Sequence, residues 1–592
     1  MIFETVAQLK LATLTAGQLV STKGYYASGD GGAADYIVAA TQAVDGYGDH
    51  TLAGGTVALL QGDTANVKQY GAKGDGTGSD QVFIQAAVAA KSDVFLPNGV
   101  YNLTATIALP SNSSLTGQSR DNTVLFHDLA TSKFDLVNNS DIVGGNTNIQ
   151  VKSLWFKGNG TTVGWSVGDG AGVRFETCTH VKVLDCKFLE NSSYGIECID
   201  TYDFTLDGNY LERCGDDGVS ISSTGLGVAG GRGIITNNHA YGMNADVGTG
   251  TGTGFEVDDG PRELIITNNI ATNCLTGIDL HTHVGESDPG QVIISNNICR
   301  DGTVGIRVYW FGGENNPNNT IVSNNTCSGN AEYGIAAVSG DELVITGNLI
   351  SENGGTGIFI NQGGGATKNE MLNLTISNNM CRQNYRGISV GSTSHSTFAK
   401  RVIIADNNVY FSQREAILVD YVQNVNITGN IVSSNSQEAD DTYANIRLTD
   451  AVDRALIAHN QILWGGAANR VKYGISVELT SVNIWIRDNY IDAARTSIIS
   501  SSGTGGNRII SENIGYVTEN NGIATLLNGT TSLVVAHGLD LAPTIVNIAW
   551  RENPTNPIGD WWVSAIDATN FTLNSVDPGA SNLNFGWETK VR

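Results

Sequence analysis

Ile265-Ile266-Thr267-Asn268-Asn269 is the stretch on which the fold turns, because close copies of it return along the chain. They include Ile234-Ile235-Thr236-Asn237-Asn238, Ile293-Ile294-Ser295-Asn296-Asn297, Val344-Ile345-Thr346-Gly347-Asn348 and Ile427-Thr428-Gly429-Asn430. Marked by their asparagines, the copies fall at Asn209, Asn238, Asn269, Asn297, Asn325, Asn348, Asn379, Asn408, Asn430, Asn460, Asn489 and Asn513, spaced 22 to 31 residues apart. A period in that range signals a solenoid. Each copy alternates apolar and polar residues with the period of a strand. A second strand built on Gly-Ile follows, as in Thr276-Gly277-Ile278, Val304-Gly305-Ile306 and Tyr473-Gly474-Ile475. No helix-length segment separates them. Coils this short bury an apolar side only by stacking on one another, so the predicted fold is all-β, a right-handed single-stranded parallel β-helix. Each repeated Asn is expected at a corner between strands, in the left-handed αL backbone, bonded to its equivalent about 4.8 Å along the stack.

Composition suits stacked strands with tight corners: among 592 residues there are 72 Gly, only 9 Pro and 15% charged residues. A net charge of -25 repels phosphate and argues against a nucleic-acid partner. The chain opens with no basic, then apolar leader, and no uninterrupted apolar run approaches about 18 residues, so neither a signal peptide nor membrane insertion is expected. The eight cysteines lie between Cys178 and Cys381, and Cys299, Cys327 and Cys381 occupy one slot of the repeat. Without Cys-x-x-Cys pairs they read as core-filling thiols rather than metal ligands, and reduced thiols fit assembly in a cytoplasm. No metal and no cofactor is expected.

Three segments follow from these patterns: an N-terminal unit over 1–64, the β-helix over 65–515, and a β-rich, sandwich-like C-terminal segment over 516–592. In the second, Gly71-Ala72-Lys73-Gly74-Asp75-Gly76 precedes a helix at about 80–91, with Ser79 or Asp80 as N-cap and Val82, Phe83, Ala86, Ala87 and Ala90 on its apolar face. Leu96-Pro97-Asn98-Gly99-Val100-Tyr101 comes next. This order resembles the entry to the pectate-lyase-like superfamily, whose helix caps the first coil; Asp75 then holds a turn rather than a substrate. Gly29-Asp30-Gly31-Gly32-Ala33-Ala34-Asp35-Tyr36 resembles the segment before the β-helix in many bacteriophage tailspikes. His537-Gly538-Leu539, Asn570-Phe571-Thr572 and Phe585-Gly586-Trp587 resemble small β-sandwich domains at the ends of phage tail proteins, with Trp550, Trp561, Trp562 and Trp587 in a core or a trimer seam.

A filled solenoid offers a substrate only its outer face. Counting from the Gly of each Gly-Ile strand, positions +2 and +4 point outward. The +2 series runs Glu197, Ser220, Glu256, Asp279, Arg307, Ala336, Phe359, Ser389, Leu418, Arg447, Ser476, Ile499. Acids, His, Arg and aromatics gather in three consecutive coils: Glu256 with Asp258, Asp279 with His281, and Arg307 with Tyr309 and Trp310. Coil and strand spacings place the three carboxyls about 5 to 9 Å apart, a range spanning both glycosidase arrangements, and crowding raises one pKa to make a proton donor. Glu256, Asp258 and Asp279 are therefore the candidate catalytic residues. His281 tunes or relays, Arg307 orients, and Tyr309 and Trp310 stack on sugar. A merely solvated face would explain the charges but not the aromatic run Tyr309-Trp310-Phe311 beside them. Gly215-Asp216-Asp217-Gly218 resembles the Gly-Asp-Asp element of polygalacturonases. Arg307-Val308-Tyr309 sits roughly where that family has Arg-Ile-Lys, but Ser192-Ser193-Tyr194 and Gly252-Thr253-Gly254 stand where its two other elements would, which places Asp216 and Asp217 at the site's edge. A second cluster, Asp420, Arg447, Asp450 and Glu478, reads as structural.

Together the motifs resemble those of the bacteriophage tailspike depolymerases. That resemblance implies a homotrimer on the virion tail, assembled in the host cytoplasm, attached through its N-terminal end to a baseplate or tail protein, and cutting a bacterial surface polysaccharide, capsule or O-antigen, by endo-glycosidic hydrolysis. Two alternatives stay open. One is a polysaccharide lyase with His281 or Tyr309 as base and Arg307 neutralising a uronate; the other is a receptor-binding adhesin that does not cut.

Overall fold

Strands Arg262–Thr267 and Gly290–Ser295 pair parallel and in register, Ile265 opposite Ile293 and Ile266 opposite Ile294. Leu264, Ile266, Val292 and Ile294 are fully buried while Ile265 and Ile293 face out, so the alternation of the repeat is the alternation of core and surface. The computed structural model describes the chain except residues 166–167, 169, 225–230, 244–251, 284–289, 311–318, 339–341, 363–370, 393–398, 479, 493, 502–506, 552–558, 577–580 and 592. Its contacts divide it into two units, Met1–Leu343 and Val344–Arg592.

Each unit contains three stacks of parallel strands that recur coil after coil, the architecture of a right-handed parallel β-helix. In the first unit the Gly-Ile stack runs from Ile107–Leu109 to Tyr333–Val338; in the second it runs from Thr356–Gln362 to Ala494–Ser501. The glycine of Gly-Ile is required by close approach. A Cβ on Gly277 would lie 2.5 Å from the carbonyl oxygen of Gly305, and one on Gly254 would lie 2.6 Å from that of Gly277.

The asparagine ladder is present, with two corrections. Asn238 N–H and Nδ2 both donate to Asn269 Oδ1, and Asn269 repeats this on Asn297. In the second unit the rung after Asn379 is Asn407, not Asn408. The left-handed backbone belongs to the residue before each rung: Asn237, Asn268, Asn296, Asp406 and His459 have φ of 55 to 58°, and no ladder Asn has positive φ. Corner turning and rung bonding are thus done by consecutive residues. All eight cysteines are buried and none forms a disulfide, with Cys299 opposite Cys327 in adjacent coils.

The entry helix spans Gln81–Ala90 and buries Ile84, Ala87 and Val88, whereas Val82 is exposed, so its inward face is offset from the predicted one. Asp80 stands at the N-cap position without capping. Its carboxylate instead accepts from the N–H groups of Lys73 and Gly74, closing the Gly-rich loop before the helix. Asp75 accepts from Thr77 N–H and Oγ1, as a turn residue should. Gln85 makes the cap work: its side chain accepts from Ala108 N–H at 2.9 Å and donates to Ala108 O at 3.1 Å. The first strand of the stack, Ile107–Leu109, thereby has its exposed edge satisfied.

The first residues form a five-stranded sheet around Leu9, Val20, Tyr36 and Val38. Asp30 organises its Gly-Asp-Gly-Gly turn by accepting from the N–H groups of Tyr25, Tyr26, Ala27 and Gly32. The last residues form two three-stranded antiparallel sheets around Leu526, Phe571, Leu573, Phe585 and Trp587. Trp550 packs on that core, and Trp561 and Trp562 are exposed.

Candidate active site

Strands Thr253–Asp258, Thr276–Thr282 and Val304–Trp310 lie side by side, so equal positions of successive coils become neighbours. Glu256 stands beside Asp279 and Asp279 beside Arg307; Asp258 stands beside His281 and His281 beside Tyr309. Their alternating partners Phe255, Val257, Ile278, Leu280, Ile306 and Val308 fill the core. Six of the predicted site residues are brought together in this way. Trp310 ends the third strand, but its side chain lies outside the described residues, as does Phe311 and most of the glycine-rich run 248–254.

Asp279 is the hub and departs from the prediction: although its position points outward, its side chain is 0% exposed. It is covered by Arg307, which donates Nε at 2.8 Å and Nη2 in a second bond, and by His281, whose Nδ1 lies 3.3 Å away. Burial raises its pKa, but Arg307 and His281 outweigh burial and hold it below the usual carboxylate value. His281 touches two further carboxylates, Asp258 at 3.5 Å and Glu256 at 3.8 Å. Burial alone would lower its pKa; Asp279, Asp258 and Glu256 carry it up to about 9. It is therefore an imidazolium at neutral pH. Oxygens of Glu256 and Asp279 come within 4.8 Å, closer than the 5 to 9 Å expected from strand geometry, because both side chains lean on His281.

Glu256 and Asp258 retain access to solvent, with side chains 17% and 16% exposed. Burial pushes the Asp258 carboxyl up to about 8, helped by Asp259 and Glu256 against the opposing His281. Glu256 is raised from its ordinary value by burial too, but hydrogen bonding from Asp217 and the charge of His281 pull it back. Asp217 is driven well above the carboxylate range by burial and by Glu256, and its Oδ1 accepts from Thr253 N–H at 2.6 Å. Their shared hydrogen bond favours the proton on Asp217, acting to raise the Asp217 pKa and to lower that of Glu256. Predicted at the site's edge, Asp217 instead lies beneath Glu256 in direct contact. Asp216 is buried as well, its N–H donating to Ser193 O.

Two further residues join the site, His283 and, from the outward-facing +2 series, Ser220. His283 Nδ1 lies 2.9 Å from Asp259 and 3.2 Å from Asp258; the His281-Thr282-His283 alternation was its signal. Ser220 Oγ lies 3.4 Å from Glu256 Oε2. Among the described residues, donor atoms of Glu256, Asp279 and His281, and those of Asp258, His281 and His283, each converge within 4.8 Å. These are the places where a cation would compete with the protons and ion pairs described.

Comparison with known proteins fits this fold. The signature of the "rhamnogalacturonase A/epimerase, pectate lyase-like" family matches residues 64–285, and that of the "right handed beta helix region" matches residues 312–402. The chain is a right-handed parallel β-helix, similar over residues 64–285 to that pectate-lyase-like family, and its sequence relatives include bacteriophage appendage proteins. The preneck appendage protein of Bacillus phage PZA is 29% identical over 244 residues, 37% of this chain and 27% of that protein. The pre-neck appendage protein of Bacillus phage phi29 matches to the same extent. The match thus spans about a quarter of the length of these relatives. The tailspike protein of E. coli bacteriophage HK620, solved with a pentasaccharide, shares the fold with a TM-score of 0.54 at 11% identity, over 91% of this chain and 96% of that one.

Proposed function

We propose that the chain is a phage tail protein that binds a bacterial surface polysaccharide, capsule or O-antigen, and hydrolyses it internally at the Glu256–Asp258–Asp279 cluster. One observation carries this reading: three carboxyls gather around His281, and their surroundings push the pKa of Asp258 up to about 8 while holding that of Asp279 down. Cleaving a glycosidic bond takes a proton donor beside a carboxylate, and groups whose pKa values are pushed apart by their surroundings are the usual way to supply both. Asp258, with its pKa near 8, is the general acid. Glu256, partly open to solvent and hydrogen-bonded to Asp217, is the base or nucleophile. Asp279 is too deeply covered to meet a sugar; it positions Arg307 and His281. Arg307 and Tyr309 face the substrate.

Elimination is the weaker reading. A lyase base must be unprotonated, yet the carboxylates around His281 raise its pKa to about 9. The relatives on phage particles and the tailspike fold support a virion location and a homotrimer, with residues 1–64 toward the tail, the β-helix over 65–515 and a β-rich segment over 516–592. The test is mass spectrometry of products from a panel of purified capsules and O-antigens. Hydrolysis adds one water per cut, and Glu256→Gln or Asp258→Asn abolishes products while leaving binding. Products lacking that water and absorbing as unsaturated uronates would overturn the assignment in favour of a lyase. Binding without products would leave an adhesin.

A further inference from the structure

A cleft of about 480 Å³ opens on the Val344–Arg592 unit, lined by Tyr443, Tyr473, Arg447, Glu478, Asp450 and Lys472 among others. That volume lies within the range of small-molecule sites. Its floor is built with buried charge. Glu415, fully covered, accepts from Arg386 Nε at 2.8 Å and Arg447 Nη1 at 3.0 Å. Burial would raise its pKa, but the two guanidiniums outweigh burial and keep it an anion. Arg447, fixed from below, presents Nε and Nη2 to Glu478 Oε1 at 3.0 and 2.6 Å. Both donors land on one oxygen, so the guanidinium does not consume the other. The same position of other repeats carries Ser389, Leu418 and Ser476, which shows that a coil needs no such network for its own stability. The two tyrosines come from consecutive coils, Tyr473 lying opposite Ala444, which follows Tyr443. Tyr443 is held in place, its hydroxyl donating to Glu438 at 2.9 Å and its ring 5.2 Å from the Arg414 guanidinium.

We infer that this cleft is a second saccharide site, specific for uncharged sugar residues. Tyrosine rings offer apolar faces to the C–H side of a pyranose, and a fixed carboxylate with neighbouring Ser476 and Ser500 hydroxyls matches its O–H groups. Charge decides the sugar class. Arg447 and Lys472 are balanced by Asp450 and Glu478, and Glu415 beneath them is balanced by Arg386, leaving no positive surplus to attract a uronate or phosphate. The cluster of Asp450, Arg447 and Glu478, read from sequence as structural, is thus the floor and rim of a binding cleft. This inference does not depend on cleavage at Glu256.

The test titrates the full chain with rhamnan- and mannan-type O-antigen oligosaccharides, and with uronate-bearing capsule oligosaccharides for contrast, by calorimetry and saturation-transfer NMR. Neutral oligosaccharides are expected to bind. Tyr473→Ala should weaken them at least tenfold, Tyr473→Phe should keep binding, and Glu478→Gln should weaken it several-fold. Glu256→Gln should leave binding at this cleft unchanged while stopping product formation, so failure of the depolymerase reading shows separately. The inference is overturned if no neutral oligosaccharide binds, if Tyr473→Ala binds as well as the unmodified chain, or if uronates bind tighter. It is also overturned if Tyr473→Ala changes the sedimentation of the protein without changing glycan binding, which would make this face a subunit contact.

Discussion

Replacing Asn269 with alanine tests the division of labour between the two asparagines of each corner. Asn269 Oδ1 accepts from Asn238 N–H and Nδ2 at 2.9 and 3.0 Å, and its Nδ2 donates to Ile235 O and Asn297 Oδ1 at 2.9 and 3.1 Å. Alanine withdraws all four bonds in a fully buried setting. Asn238 N–H then loses its acceptor at the full penalty of about 1–3 kcal/mol for a buried unsatisfied donor. The other three partners suffer less, since Asn238 Nδ2 keeps Leu206 O and Asn297 Oδ1 keeps Asn269 N–H. The total is about 3–5 kcal/mol. Its neighbour Asn268, at φ 58°, should respond oppositely: glycine relieves the left-handed strain while loosening the unfolded chain, so Asn268→Gly should lie within about 1 kcal/mol of the unmodified protein. Gly208, Gly347 and Gly429 already occupy this slot in other coils. Urea unfolding gives the stability change, and hydrogen exchange at the Asn238 amide locates it. Equal unfolding midpoints for the two variants, or an Asn238 amide that stays protected in Asn269→Ala, would refute the assignment of bonding to one residue and turning to the other.

The pH–rate profile should lose its activity as pH rises through about 8, because Asp258, raised to that value, must hold its proton to act as the acid. The acidic limb belongs to Glu256, which must be ionised; a rate that climbs through pH 8 would instead point to a base with that pKa. Asp279→Asn should lower the His281 pKa from about 9 toward its ordinary 6.5, since Asp279 is the largest of the influences raising it; an unmoved imidazole resonance on NMR titration would remove Asp279 from its positioning role. Gln85→Ala should destabilise the entry of the helix by about 1–3 kcal/mol, leaving Ala108 N–H and C=O without their side-chain partner. Light scattering should also show association through the bared edge of Ile107–Leu109, and a variant that neither loses stability nor associates would show that the helix covers the edge without this residue.

The solenoid was legible because its two signals, a recurrence in the twenties to thirties and strict alternation, arise from backbone geometry that every coil obeys. Slips occurred where one coil spelled a shared role with a different residue. At Asp406-Asn407-Asn408 the left-handed position is taken by aspartate, so the second of two asparagines is no longer the rung. Near the end, a register shift between Val471 and Tyr473 aligns Ser476 with Ser500, which sends Ile499 inward to the core. The helix buries Ile84 and Val88 while Val82 faces solvent, so its inward stripe is offset from the one the apolar spacing suggested. At the site, counting along strands found the Glu256, Asp279 and Arg307 column. It did not reveal that Arg307 and His281 would close over Asp279, a matter of side-chain reach. The contact of Asp217 with Glu256 was also out of view, because it depends on which residue of the next coil stands opposite after a long intervening segment: the bond from Thr253 to Asp217 joins residues 36 apart.

The rungs of the ladder join asparagines separated by as few as 23 residues, at Asn407 and Asn430, and as many as 31, at Asn238 and Asn269. Identical bonds close coils of different circumference, so the spine is indifferent to how much chain is spent between its fixed points. A lineage can therefore lengthen, shorten or exchange the segments between rungs without renegotiating the core, and the adaptable part of the molecule and its durable part are kept on separate residues of the same turn.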